Sequence, residues 1–174
     1  MKRSLKTKTQ GDKKRQYGDG SDVFYTKEET ISSTVAKIKQ LCADNGLAIN
    51  SAVDFSAGNG AFIACMQHSF DLQASEQYDI APRSAAVTQK DWFDVAAHPV
   101  DFVGFNPPFG FQCKLAKKFL AHAADFRPKL ICCLHLFLRK NIFPSGYRLV
   151  HQEDLAADSF YNPATRATLP VPGL

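Results

Sequence analysis

Between Lys27 and Asn45 the apolar residues Ile31, Val35, Ile38 and Leu41 recur every three or four positions, with polar residues between them. That spacing predicts a helix with one buried face, and Gly46 is a suitable terminator. The pattern then changes. Ala52, Val53 and Phe55 mark a short buried strand, Ser56 to Gly60 a tight turn, and "AFIACMQHSF" a second helix. A strand is expected over Ser75 to Ile80, stopped by Pro82, and a short, weakly marked one near Val87. Val100 to Phe105 reads as a strong strand, and Leu115 to Ala124 as a helix with Leu115, Phe119 and Leu120 turned inward. "KLICCLHLF", Lys129 to Phe137, is apolar almost throughout, as a strand buried on both faces must be. Beyond Phe143 the pattern weakens. "YRLVHQEDL" is expected to form one more strand, and the remainder is punctuated by proline.

Strands alternating with helices imply an α/β fold with a doubly wound parallel sheet, which binds ligands at the carboxyl ends of its strands. The chain has 174 residues, enough for one such domain. No stretch is long and uncharged enough to cross a membrane, and no apolar run follows the first charges, so an intracellular protein, cytoplasmic or nuclear, is expected. Cys42, Cys65, Cys113, Cys132 and Cys133 form no C-x-x-C pair, which argues against a zinc site or disulfide framework and for reduced core thiols. The formal net charge of +4 is uneven: residues 1–20 hold seven Lys/Arg against Asp12 and Asp19. The remaining chain is close to neutral. Residues 1–22 therefore read as a basic, solvated tail ahead of a domain over 23–174. A nucleic-acid arm and an import signal are the functional alternatives for that tail.

Two strand ends carry candidate chemistry. In "DFSAGNGAF", Gly58 and Gly60 follow the first sheet strand and open a helix, where glycine permits positive φ and close backbone approach to a ligand. Position 63 is Ile63, so the dinucleotide fingerprint is incomplete, and the phosphate-loop Lys-Ser/Thr is missing as well. Asp79 ends the next strand about 20 positions on, the spacing of an acid that holds ribose hydroxyls. The second strand end is "DFVGFNPPFG". Two consecutive prolines stop a strand abruptly. They also hold the Asn106 carboxamide and the Pro107 carbonyl as two rigid acceptors, suited to an –NH₂ group. The Phe109 ring offers a face on which a planar base can stack. The alternative is that Asn106-Pro107-Pro108-Phe109 only ends a strand.

Together these stretches resemble the class I S-adenosylmethionine-dependent methyltransferases that act on amino groups, the N6-adenine type in particular. "DFSAGNGAF" resembles their cofactor loop and "NPPF" their [DNS]-P-P-[YFW] catalytic tetrapeptide. "VFYTKEE" is similar to the segment ahead of the first strand in DNA adenine methyltransferases, and "QKDWFD" to the acidic-aromatic stretch beside the cofactor adenine. The resemblance runs from Val23 to Phe137. It implies a Rossmann-like methyltransferase sheet with S-adenosyl-L-methionine as cofactor. Asp54, Ser56, Gly58 and Gly60 would lie about the methionine part, and Asp79 at the ribose. Asp91 would accept from the adenine amino group, with Trp92 or Phe93 against its ring and Tyr25 and Thr26 on the opposite wall. Asn106, Pro107, Pro108 and Phe109 would form the catalytic tetrapeptide. Local readings compete: Asp91 as a helix cap, Trp92 as core, and Tyr25 as a staple on the first helix. No metal is implied, and none of the five histidines is assigned a catalytic role.

The implied reaction is methyl transfer to an exocyclic amino group of a nucleic-acid base, adenine N6 in DNA first. RNA guanine N2, protein glutamine N5 and a non-catalytic nucleic-acid-binding subunit are the alternatives. Nucleic acid is the implied partner, with a protein partner supplying target recognition, since no inserted recognition region is visible. Pro170 and Pro172 suit a sheet interior badly, so the sheet is expected to be incomplete at its C-terminal strand, with an edge uncovered near "KLICCLHLF".

Overall fold

A computed structural model describes residues 24–107, 114–134, 143–156, 158–163 and 168. The basic tail lies outside these residues. So do Pro108, Phe109 and His135–Phe137.

The first element is a two-residue strand, β1 (Tyr25–Thr26), which leads into helix α1 (Glu28–Asp44). Glu28 and Glu29 in the first turn favour the positive end of the helix dipole. Ile31, Thr34, Val35, Ile38 and Cys42 make the buried stripe, so Cys42 rather than Leu41 is the fully buried position of the last turn. Gly46, at φ 64°, ends it. Strand β2 (Ser51–Asp54), helix α2 (Ala61–Ser69), strand β3 (Ala74–Asp79) and the short β4 (Thr88–Gln89) follow. After a single 3₁₀ turn at Trp92–Asp94 come β5 (Phe102–Phe105), α3 (Lys114–Asp125) and β6 (Leu130–Cys133).

Strands β2 to β6 form one parallel sheet in the order β4-β3-β2-β5-β6. The fold is α/β and Rossmann-like. Successive residues of a strand face opposite sides, and the core divides accordingly. Ala52 and Phe102 pack with Ile31, Val35, Ile63 and Met66 of α1 and α2 on one face. Val53 and Val103 pack with Trp92, Phe119, Leu120 and Phe126 on the other. Burial on both sides explains why β5 reads as an unbroken apolar run. Chain order reverses between β2 and β5, which lie side by side with Asp54 opposite Gly104. The segments leaving these two strands therefore emerge together at the switch point, where open α/β sheets hold ligands.

Two features depart from the sequence-based expectation. "YRLVHQEDL" forms no strand: Tyr147 to Leu155 is irregular chain that follows a turn at Ser145–Gly146. Leu155 packs against the core while Leu149 and Val150 are both about half exposed, so the segment has no alternating buried face. A later strand does form: β7 (Phe160–Tyr161) pairs antiparallel with β1, Tyr25 opposite Tyr161 and Thr26 opposite Phe160. Among the described residues β6 has one neighbour, β5, and forms an edge of the sheet.

Candidate active site

The turn after β2 is built from local hydrogen bonds. Asp54 is buried, and its Oδ1 accepts from the Ser56 N–H at 2.9 Å. The Ala57 N–H donates to Tyr78 O, and the Gly60 N–H to Ala57 O. Gly58 and Gly60 have φ of 54° and 83°, a backbone region that L side chains rarely adopt. Space is as restrictive as conformation. A Cβ on Gly58 would lie 3.1 Å from the Tyr25 ring, and one on Gly60 2.8 Å from Gln77 Oε1.

At the end of β5, the Asn106 amide nitrogen donates to Phe24 O and Thr26 Oγ1, each at 3.3 Å. A carbonyl can only accept, so Phe24 O fixes which end of the amide is nitrogen. No described residue donates to the opposite atom, Oδ1. Pro107 follows and is fully buried.

Tyr25, Thr26, Asp54, Ser56, Gly58 and Asn106 line a single cleft, with Phe62, Phe105 and Leu134 among its apolar walls. Burial pushes the Asp54 carboxyl up to about 7. The Ser56 N–H opposes that shift, and the Asp79 charge adds to it. The Ser56 hydroxyl is buried with no hydrogen-bond partner among the described residues. A buried acid, an unpaired hydroxyl and a positive-φ glycine suit the charged amino-acid end of S-adenosylmethionine. The room does not yet suit the whole molecule. The cleft leaves about 40 Å³ for water, against roughly 300–1,000 Å³ in ordinary small-molecule sites. Tyr25 takes up part of that room. Burial raises its phenol above the usual range, and the nearby Arg83 guanidinium offsets only part of that shift.

Other residues singled out from sequence stand apart from the cleft. Gly60 faces Gln77. Asp79 binds the glycine turn: Oδ2 accepts from the Gly58 N–H and Oδ1 from the Ala81 N–H, both at 2.8 Å. Asp91 caps the 3₁₀ turn, with Oδ1 accepting from the Phe93 N–H. Trp92 is buried in the core beneath the sheet, stacked on Phe55 and Phe126, with His122 against its edge. Pro108 and Phe109 lie outside the described residues. Sequence reading had not singled out Arg83, and of the β7 segment it noted only a faint likeness of "DSFYNP" to the family's late strands. The aromatic pair in "SFYNP" is the only local signal for β7.

The model of the EDM2 methyltransferase-like domain family matches residues 47–167. The chain belongs to this family. The match takes in the glycine turn, the end of β5 and β7, and begins after β1 and α1. Protein ENHANCED DOWNY MILDEW 2 of Arabidopsis thaliana is 28% identical over 160 residues, covering 81% of this chain. This methyltransferase-like domain spans about 12% of that protein's length. Among solved structures, PH1948 of Pyrococcus horikoshii, a proposed RNA methyltransferase, superimposes with a TM-score of 0.46 at 16% identity, over 59% of each chain. Among the described residues, no helix is long and apolar enough to cross a membrane, and no group of three His, Cys, Asp or Glu is arranged to hold a metal ion.

Proposed function

We propose that this domain transfers a methyl group from S-adenosylmethionine to an exocyclic amino group of a nucleic-acid base, adenine N6 in DNA first. The observation that carries this reading is the Asn106 amide. Its nitrogen is spent on Phe24 O and Thr26 Oγ1, so Oδ1 is the end left for an incoming donor, beside the buried Asp54. A base amino nitrogen is a poor nucleophile because its lone pair is delocalised into the ring. Accepting its two N–H bonds at Asn106 Oδ1 and the Pro107 carbonyl favours a pyramidal nitrogen with a free lone pair.

When bound, the cofactor supplies an electrophilic sulfonium methyl. The chain's part is positioning and fixed dipoles. Asp54 and Ser56 would hold the cofactor's amino-acid end. The Asn106 and Pro107 oxygens would face the nitrogen as it becomes positive, and Phe109 would stack on the base. The methylated nitrogen is then acidic enough to release its proton to water, so no histidine is needed. The basic tail suits a phosphate backbone. The small cleft favours one second reading, a non-catalytic methyltransferase-like subunit.

Calorimetric titration with S-adenosylhomocysteine separates the two readings, since the enzyme binds it and the subunit does not. Labelled-methyl transfer to DNA, RNA and protein then selects the substrate. Labelling of protein alone would overturn the nucleic-acid assignment.

A further inference from the structure

The cleft is roofed by a segment that belongs neither to the parallel sheet nor to a helix. Residues Phe24 to Lys27 cross above it. Tyr25 lays its ring over Gly58, and Thr26 and the Phe24 carbonyl hold the Asn106 amide. This roof hangs from the C-terminal side of the domain. β1 pairs with β7, the rings of Tyr25 and Tyr161 meet edge to face, the Lys27 N–H donates to Ser159 O, and Lys27 Nζ pairs with Asp158. At its other side Tyr25 lies beside the Arg83 guanidinium, whose own backbone N–H donates to Gly58 O at 2.8 Å.

Two strands of two residues each make too little ladder to be stable alone. Ser159 and Phe160 are buried, Phe160 within the core, whereas Phe24 to Lys27 are each only partly buried, so Phe24–Lys27 is the side that opens at the lower free-energy cost. The closed roof leaves about 40 Å³ beneath it, less than any nucleoside-sized ligand requires.

We propose that Phe24–Lys27 is a strap, hung on Asp158–Tyr161, that lifts from Gly58 to admit the cofactor and on closing reseats the Asn106 amide. The proposal rests on the cofactor reading of the cleft. It links a ligand's access to residues about 130 positions away along the chain. It also gives Tyr25 two positions, over the glycine turn when the strap is closed and away from it when open.

The test is a crosslink that leaves every cleft residue unchanged. Positions 27 and 159 continue the β1–β7 register, so Lys27→Cys with Ser159→Cys in the full chain would join strap to anchor once oxidised, the bond being verified by mass spectrometry. Stopped-flow association of S-adenosylhomocysteine should slow at least about tenfold in the oxidised form and recover on reduction. Arg83→Gln, at an exposed position, should speed association severalfold. Equal rates in the oxidised and reduced forms would make the roof a fixed wall and overturn the proposal. A ligand-free measurement keeps the strap separate from the cofactor reading. In the wild-type chain the Lys27 amide should exchange with deuterium about a hundredfold or more faster than those of β2 and β5, and crosslinking should slow it. Core-like protection of that amide in the wild type refutes the strap even where the ligand binds. Failure of S-adenosylhomocysteine to bind, with fast exchange at Lys27, refutes the cofactor reading and leaves a strap over a site for another ligand.

Discussion

The five-stranded sheet and the β1–β7 ribbon supply opposite walls of the same cleft, and they hold them by different means. The sheet fixes Asp54 and Asn106 through side chains buried on both faces and a continuous ladder of parallel strands. The ribbon holds Tyr25 and Thr26 through a ladder of two residues on each strand, the Lys27 N–H to Ser159 O bond, a surface ion pair and an edge-to-face ring contact, and is seated on the core through Phe160 and Phe24. Positions set by the sheet should resist change and cost stability when altered. Positions set by the ribbon should tolerate change and alter access instead. The chemistry sits on the rigid side and the variable geometry on the other, a useful division for a site that must admit a bulky ligand and then orient it.

The largest effect is expected at the join between the two. Asn106→Ala keeps β5 intact but removes the acceptor and its ties to Phe24 and Thr26. Methyl transfer should fall about 10²-fold or more, by analogy with loss of one preorganised polar group, and the melting temperature should drop modestly, since the two lost hydrogen bonds are worth about 0.5–1.5 kcal/mol each. A variant that transfers methyl groups normally would take Asn106 out of the site.

Asp54 tests the sheet side through pH. Its folded-state carboxyl is raised from about 3.8 to about 7, chiefly by burial. The folded protein therefore binds a proton that the unfolded chain gives up. Stability from this group is full below the unfolded value and declines as pH rises through about 7. The loss at pH 8 amounts to a few kcal/mol, at roughly 1.4 kcal/mol per unit. Asp54→Asn keeps the acceptor for the Ser56 N–H and should flatten the decline, melting higher than wild type at pH 8 while binding S-adenosylhomocysteine less well. Parallel melting-temperature curves for the two proteins from pH 5 to 8 would contradict this account.

Gly104→Ala comes next. A Cβ there would lie 2.6 Å from the Phe62 ring and 2.7 Å from that of Phe102, inside the packed core. Destabilisation of about 1–3 kcal/mol is expected, read as a lower denaturation midpoint with an unchanged slope. A neutral outcome would mean that the sheet side yields as readily as the ribbon. The smallest effect is expected for Tyr161→Ala. Losing one edge-to-face contact in the ribbon should cost under about 1 kcal/mol while quickening ligand association. A large loss of stability there would erase the contrast between the two walls.

The sheet was legible in the sequence because its signals are local and repeated. Helical spacing from Ile31 onward, apolar runs at β5 and β6, and glycines or prolines at strand ends each act over a few residues. Asp54, Gly58 and Asn106 were recognisable as neighbours because the two motifs end adjacent parallel strands. The ribbon was not legible. Two residues near the start pair with two beyond position 159, and neither pair carries a periodic pattern. Asp91 and Trp92 show another limit. An acid before an aromatic residue is suited both to gripping an adenine and to capping a turn over the core, and the cap is not legible without the packing. Here the carboxylate caps and the indole is buried.

That burial has a practical consequence. Trp92 is the chain's single tryptophan, and it lies among Phe55, Phe126 and His122 on the α3 side of the sheet, away from the cleft. Intrinsic fluorescence will therefore report the melting of that layer faithfully. A ligand that only lifts the roof and settles against Asp54 will leave the emission almost unchanged, so binding must be followed by heat, by exchange or by a fluorophore attached to the strap.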